Sequence, residues 1–294
     1  MSNTPSDLTV DELGGPGEPL VPLVLLYGFP FDSGMWEDVV EELIDLGVPS
    51  IALDAPGFGQ SEVPEGEPSL DVAADAVIAT LDELGVAQAV LAGLSMGGYI
   101  ALATAARYGS RLAGLALLDT KASADSDEAR ANRLRVAEAA LGEAGAAAVA
   151  PMLTTLLGET ALESEPDVVE EHRQWLAAAP PAGIAWGQRA MAARPARFEV
   201  LEDLSVPGLV IRGSEDVISS QSEAEAMVRA IAANDGDAEL VLIPNAGHMS
   251  ATEDPGAVAE ALAAFWRRCT GAPEPTFDDG WIEDSEAGDS EAEE

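Results

Sequence analysis

The sequence predicts an α/β fold: a mostly parallel sheet flanked by helices, with a helical cap inserted between two of its strands. Two observations predict it. Short, continuously apolar runs alternate with segments of helical period, which is the pattern of parallel strands buried on both faces. That alternation stops near residue 121 and resumes near residue 201, and the stretch between is Ala-rich, punctuated by Pro151, Pro166, Pro180-Pro181 and Pro195, without a strand pattern.

Residues 21–27, VPLVLLY, read as the first strand. In residues 35–46, Trp36, Val39, Val40, Leu43 and Leu46 recur at helical intervals, and Gly47 stops the helix. A second strand, 51–53, runs into the loop DAPGFGQSEVPEGEP, and a helix over 70–84 ends at Gly85. A third strand over 89–94, a helix over 97–108 and a strand over 112–118 follow. Beyond the cap come strand 208–212, helix 222–233, strand 239–243 and helix 255–268. These elements give an N-terminal extension at 1–20, a core at 21–120 and 201–270, a cap at 121–200 and an acidic tail at 271–294. Right-handed crossovers place the C-terminal ends of the strands along one edge, where such sheets bind ligands.

Charge sets limits on function. The 294 residues hold 53 Asp and Glu against 14 Lys and Arg, for a net charge of −39. Such a field repels nucleic acid and anionic membranes. The segment Phe277–Glu294 contributes nine acids and no base, so most of the excess lies on the body of the chain. Lysine occurs once, at Lys121. Adaptation to a salt-rich cytosol explains this surface, because the Debye length falls to about 3 Å at 1 M salt and the carboxylates cease to repel one another. A high-GC genome is the alternative explanation.

Cys269 is the single cysteine, so no internal disulfide forms, and two histidines cannot build a zinc cluster. No metal and no cofactor is expected. The longest apolar stretch, Leu20–Phe31, contains Pro22 and is shorter than the roughly 18–20 residues that span a bilayer. The first residues lack the basic and apolar regions of a signal peptide, and a cytoplasmic protein is expected.

Residues 93–97 read Gly-Leu-Ser-Met-Gly, a G-x-S-x-G between an apolar strand and a helix. That strand–turn–helix setting presents a serine on a sharp, strained turn, and makes Ser95 the candidate nucleophile. A hydroxyl attacks only if a base takes its proton. His172, in EEHRQW, reads as a surface residue from its charged neighbours, whereas His248, in IPNAGHMS, follows the last strand at the same sheet edge as Ser95. His248 is therefore the candidate base. Strand 208–212 ends in Gly213-Ser214-Glu215-Asp216, and Asp216 is chosen over Glu215 as the acid that orients the imidazole.

Taken in order, YGFPFDSGMW, DAPGFGQS, LAGLSMGGYIALATAARYGSRLAGLALLDT, IRGSEDVIS and IPNAGHMSATEDP resemble the α/β-hydrolase family, over about residues 21–268. The similarity is greatest to small esterases, enol-lactonases and cofactor-free haloperoxidases. It implies a serine hydrolase that cleaves a carboxylic ester or lactone through an acyl-enzyme, with the backbone N–H groups of Phe29 and Met96 as oxyanion hole. Perhydrolase chemistry by the same three residues, or a low-turnover ligand-binding protein on this scaffold, are the alternatives. Two departures stand out: Tyr27-Gly28 replaces the family's usual His-Gly, and about twenty Gly- and Pro-rich residues precede the first core strand where the family usually begins with a two-stranded antiparallel hairpin, so a sheet without that edge strand is expected. In the cap, Trp175, Trp186, Met152, Met191 and Leu156 line a pocket or pack helices; Arg133, Arg135, Arg189 and Arg194 steer a carboxylate or pair with acids.

Overall fold

A computed structural model describes residues 21–274. The expectations for the N-terminal extension, and for all of the acidic tail beyond residue 274, lie outside the described residues. The core elements, in chain order, are β1 (Leu23–Leu26), α1 (Glu37–Asp45), β2 (Ser50–Leu53), α2 (Leu70–Glu83), β3 (Ala89–Leu94), α3 (Met96–Tyr108) and β4 (Leu112–Leu118). The helical segment that follows holds α4 (Asp127–Leu141), α5 (Leu153–Leu156), α6 (Glu159–Ser164), α7 (Pro166–Ala178), α8 (Pro181–Ala192) and α9 (Phe198–Glu202). The core resumes with β5 (Gly208–Gly213), α10 (Gln221–Ile231), β6 (Ala238–Ile243), α11 (Ser250–Glu253) and α12 (Pro255–Thr270).

Among the described residues the sheet has six strands in the order β2-β1-β3-β4-β5-β6, every neighbouring pair parallel. β1, β3 and β5 are buried along their whole length, which is why β1 and β3 read as unbroken apolar runs and β5 is apolar up to Arg212. β6 is an edge strand and leaves Leu242 44% exposed. On the two faces of the sheet, α1 packs on α12, and α2 packs on α3. α3 is buried on nearly every side from Met96 to Ala105, as a helix crossing the middle of a sheet must be.

The chain leaves β1 toward β2 and returns past β1 to β3, so the strand order reverses between β1 and β3. Ligands of open α/β sheets bind at such a reversal, outside the strand C-termini. The residues leaving those two strands are Tyr27-Gly28-Phe29 and Ser95.

Two local readings are corrected. The helix expected from residue 35 begins as a 3₁₀ turn, Ser33–Trp36, because Asp32 accepts the Gly34 N–H at 3.0 Å and sets the start of the turn. His172 is fully buried rather than on the surface. Its charged neighbours Glu170, Glu171 and Arg173 lie on the exposed side of α7, whereas Val168, Val169, His172, Trp175, Leu176 and Ala179 form the inward stripe. There the ring donates from Nδ1 to the Val168 carbonyl at 2.8 Å, its Nε2 lies 3.0 Å from Thr252 Oγ1, and it packs against Phe31 in a T-shaped contact and against Trp175 at a tilt. Burial holds its pKa below the usual value, against the opposing pull of the Val168 carbonyl.

Candidate active site

The turn from β3 into α3 carries Ser95 at φ 53°, ψ −109°, a left-handed conformation that costs a non-glycine residue about 1–3 kcal/mol. Neighbouring contacts hold it there. The Ser95 N–H donates to the Leu118 carbonyl at 2.9 Å, and Thr120 Oγ donates to the Ser95 carbonyl at 2.8 Å. The Gly97 N–H donates to the Tyr27 carbonyl at 3.0 Å. A Cβ on Gly97 would overlap the Leu26 carbonyl, and one on Gly93 would overlap the Gly97 carbonyl, so both glycines of the motif are required by space.

The sequence-predicted residues Ser95, His248 and Asp216 come together. Ser95 Oγ lies 2.8 Å from His248 Nε2, and His248 Nδ1 lies 3.0 Å from Asp216 Oδ2. A carboxylate only accepts, so Nδ1 carries the ring proton and Nε2 is free to accept from the Ser95 hydroxyl. His248 and Asp216 are 2% and 4% exposed. Asp216 Oδ1 accepts from the N–H groups of Ile218 (2.7 Å) and Ser219 (3.1 Å), and Oδ2 also accepts from Ser219 Oγ at 2.6 Å. Burial opposes its ionisation, but the hydrogen bond and charge of His248, with those N–H and O–H donors, hold its carboxyl below the usual range. Arg212 braces the same loop by donating to the carbonyls of Asp216 (2.6 Å) and Ser219 (2.9 Å).

A second acid at this edge was missed. Asp119, at the end of β4, is fully buried at φ 45°. It accepts from the Gly213 N–H at 2.7 Å and from Ser250 Oγ, and so ties β4 to β5 and to the segment after His248. Burial first, and then the neighbouring Asp216, raise its pKa to about 7, against the opposing effects of His248 and its own hydrogen bonds. The available signal was an acid following an apolar strand, as Asp216 follows β5 three residues on; what selects between them is which carboxylate meets the imidazole.

Tyr27, the departure from the expected His-Gly pattern, makes a two-way bond: its hydroxyl donates to the Ala55 carbonyl at 3.2 Å and accepts the Ala55 N–H at 3.0 Å. Burial, then the Asp54 charge, push its phenol well above the ordinary value, so it stays a donor. Tyr27→Phe orphans both Ala55 groups in a buried site, and should cost about 1–3 kcal/mol in urea unfolding.

Phe29 is buried, its ring edge-on to Phe58 at 5.9 Å. Neither the Phe29 nor the Met96 N–H donates to another backbone or side chain among the described residues, and the next N–H back from Phe29, that of Gly28, goes to Met35 Sδ at 3.2 Å. Of the cap arginines, Arg133 and Arg194 share the buried Asp125 at 2.6 and 2.7 Å, and Arg135 donates to Asn132. Trp186, Met191 and Leu156 are buried, while Trp175 and Met152 are partly buried against the core. Among the described residues no three His, Cys, Asp or Glu gather in a way that could hold a metal ion, and no helix is long and apolar enough to cross a membrane.

Comparison with known proteins agrees with this fold. The family described as alpha/beta hydrolase fold matches residues 21–255. A thermophilic esterase from Thermogutta terrifontis, solved with malate bound, superposes with a TM-score of 0.80 at 40% identity, covering 85% of this chain and 91% of that one. The enol-lactonase from Burkholderia xenovorans LB400 superposes with a TM-score of 0.76 at 28% identity, covering 86% and 93%. The dihydrolipoyllysine-residue acetyltransferase component of the acetoin cleaving system of Pseudomonas putida is 32% identical across 87% of this chain, which spans 66% of that protein's length.

Proposed function

Because the chain belongs to the alpha/beta hydrolase fold family, we propose that it hydrolyses carboxylic esters or lactones through an acyl-enzyme on Ser95. The observation that most supports this reading is the continuous path from Ser95 Oγ to His248 Nε2 at 2.8 Å and from His248 Nδ1 to Asp216 at 3.0 Å, on a strained strand–helix turn. The likeness to an esterase and an enol-lactonase supports the substrate class.

In this mechanism Ser95 Oγ attacks the carbonyl carbon as its proton passes to His248 Nε2. Asp216 stabilises the imidazolium and holds its Nδ1–H. The carbonyl oxygen becomes an oxyanion and accepts from the Phe29 and Met96 N–H groups, a term worth about 3–4 kcal/mol per donor in comparable sites. Collapse breaks the ester C–O bond, and the leaving oxygen takes the proton from Nε2. Water then attacks the acyl-enzyme, giving its proton to Nε2, and collapse returns that proton to Ser95 Oγ and frees the acid. With a lactone, the alcohol and acid remain in one product.

The test is turnover of p-nitrophenyl acetate, p-nitrophenyl butyrate and a small lactone, in KCl from dilute to multimolar. Saturable hydrolysis is expected, rising with salt if the acidic surface reflects adaptation to it. A parallel reaction with hydrogen peroxide separates hydrolysis from peracid formation. Silence on every substrate, from protein shown by circular dichroism to be folded, would favour a binding role instead.

A further inference from the structure

The loops carrying His248 and Asp216 both grip one short piece of the cap, the turn from Leu156 to Thr160. Glu253, the last residue of α11, spreads one carboxylate over both partners. Its Oε1 accepts from the N–H groups of Gly247 (3.0 Å) and Met249 (3.2 Å), the residues on either side of His248. Its Oε2 accepts from the Gly158 N–H of the cap at 2.7 Å. Glu215, immediately before Asp216, holds the cap two residues further on, accepting the Thr160 N–H at 2.8 Å and the Thr160 hydroxyl at 2.7 Å. The Met249 N–H also reaches the Leu156 carbonyl at 3.1 Å, and the two loops are joined to each other where the Glu215 N–H donates to the Ala246 carbonyl at 2.8 Å. Gly158 and Gly247 meet backbone to backbone, with no room for a Cβ on Gly247.

We propose that Glu253 and Glu215 are positioning residues through which the docked cap turn holds His248 in line between Asp216 and Ser95. Neither carboxylate is hydrogen-bonded to the imidazole. Their effect is exerted through the backbone that carries it, and in its catalytic consequence it rests on the hydrolase reading above. Glu253 is suited to this because a carboxylate is a pure acceptor at both ends. Burial pushes its pKa above the usual range while its N–H donors oppose that shift, as for a group held in place by hydrogen bonds rather than by water. A glutamine of the same shape has one accepting oxygen and one donating nitrogen. It can keep the bonds to the His248 loop or the bond to the cap, but not both.

The test compares wild type, Glu253→Gln, Glu215→Gln and the double variant by ester kinetics and by the NMR signal of the His248 Nδ1 proton. The chain has only two histidines, and loss of the signal in His248→Gln assigns it. Misplacing a reacting group by about 1 Å can cost about 100-fold. On that scale Glu253→Gln is expected to lower kcat about 10- to 100-fold with KM within about threefold, and to shift or broaden the Nδ1 proton. Glu215→Gln is expected to act in the same direction, with the double variant less than additive. An unmoved proton signal and unchanged kcat in folded Glu253→Gln protein, whatever its melting temperature, would overturn the proposal and leave the carboxylate a purely structural tie. If Glu253→Gln does not fold, Thr160→Val removes the hydroxyl bond to Glu215 at nearly constant volume and is read in the same two ways. The NMR comparison stands without turnover, so an inactive wild type would count against the hydrolase reading and not against this one.

Discussion

Ser95→Ala is expected to lower kcat/KM for p-nitrophenyl acetate by roughly 10⁴- to 10⁶-fold, the scale on which removing one member of a cooperating set removes the work of the whole set. Stability should change little. The turn is held by backbone groups that alanine keeps: the bond from residue 95 N–H to Leu118, and the bond from Thr120 to the carbonyl of residue 95. What alanine loses is the single hydroxyl contact to His248. In the proposed mechanism the residual rate over the uncatalysed reaction comes from the Phe29 and Met96 N–H groups, whose stabilisation of the carbonyl oxygen does not depend on what attacks it. Burst kinetics check the same substitution: p-nitrophenolate released in proportion to enzyme should vanish with the hydroxyl.

Asp216→Asn is expected to cost roughly 10⁴-fold in kcat, more than its effect on folding would suggest. Asn Oδ1 can still accept the Ile218 and Ser219 N–H groups that now bond Asp216 Oδ1. Its Nδ2 then faces Ser219 Oγ and His248 Nδ1, where Oδ2 accepted from both. An amide N–H pointing at Nδ1 favours the tautomer with that nitrogen unprotonated. The proton moves to Nε2, which can no longer take one from Ser95. Asp119 does not compensate, because its two oxygens are engaged by Gly213 and Ser250. Steady-state kinetics beside a urea titration separate the two effects. Wild-type turnover in this variant would remove Asp216 from the mechanism.

The convergence of Ser95, Asp216 and His248 was legible because it follows from topology. Each residue follows the C-terminal end of a strand that reads clearly as apolar, and parallel strands send those ends to one edge. The helical character of 127–202 was legible from composition and prolines, but its packing was not. His172 shows why: its immediate neighbours are charged, and only its spacing from Val168, Leu176 and Ala179 marks the inward side of α7. Tyr27 was identified as a departure, yet its partner, Ala55, lies 28 residues away in a loop with no local signal. Glu253 was hidden for the same reason. In a chain with 53 acidic residues, nothing local distinguishes the one whose oxygens meet Gly158, Gly247 and Met249.

Covalent trapping of the nucleophile tests the central claim most directly. Diethyl p-nitrophenyl phosphate transfers its phosphoryl group to an activated serine, expels p-nitrophenolate, and leaves an adduct that water removes slowly. Intact mass and peptide mapping are predicted to show one diethylphosphoryl group per chain, on Ser95, with equimolar p-nitrophenolate and parallel loss of ester turnover. Ester hydrolysis that survives full treatment without an adduct, or an adduct that persists in Ser95→Ala, would contradict it.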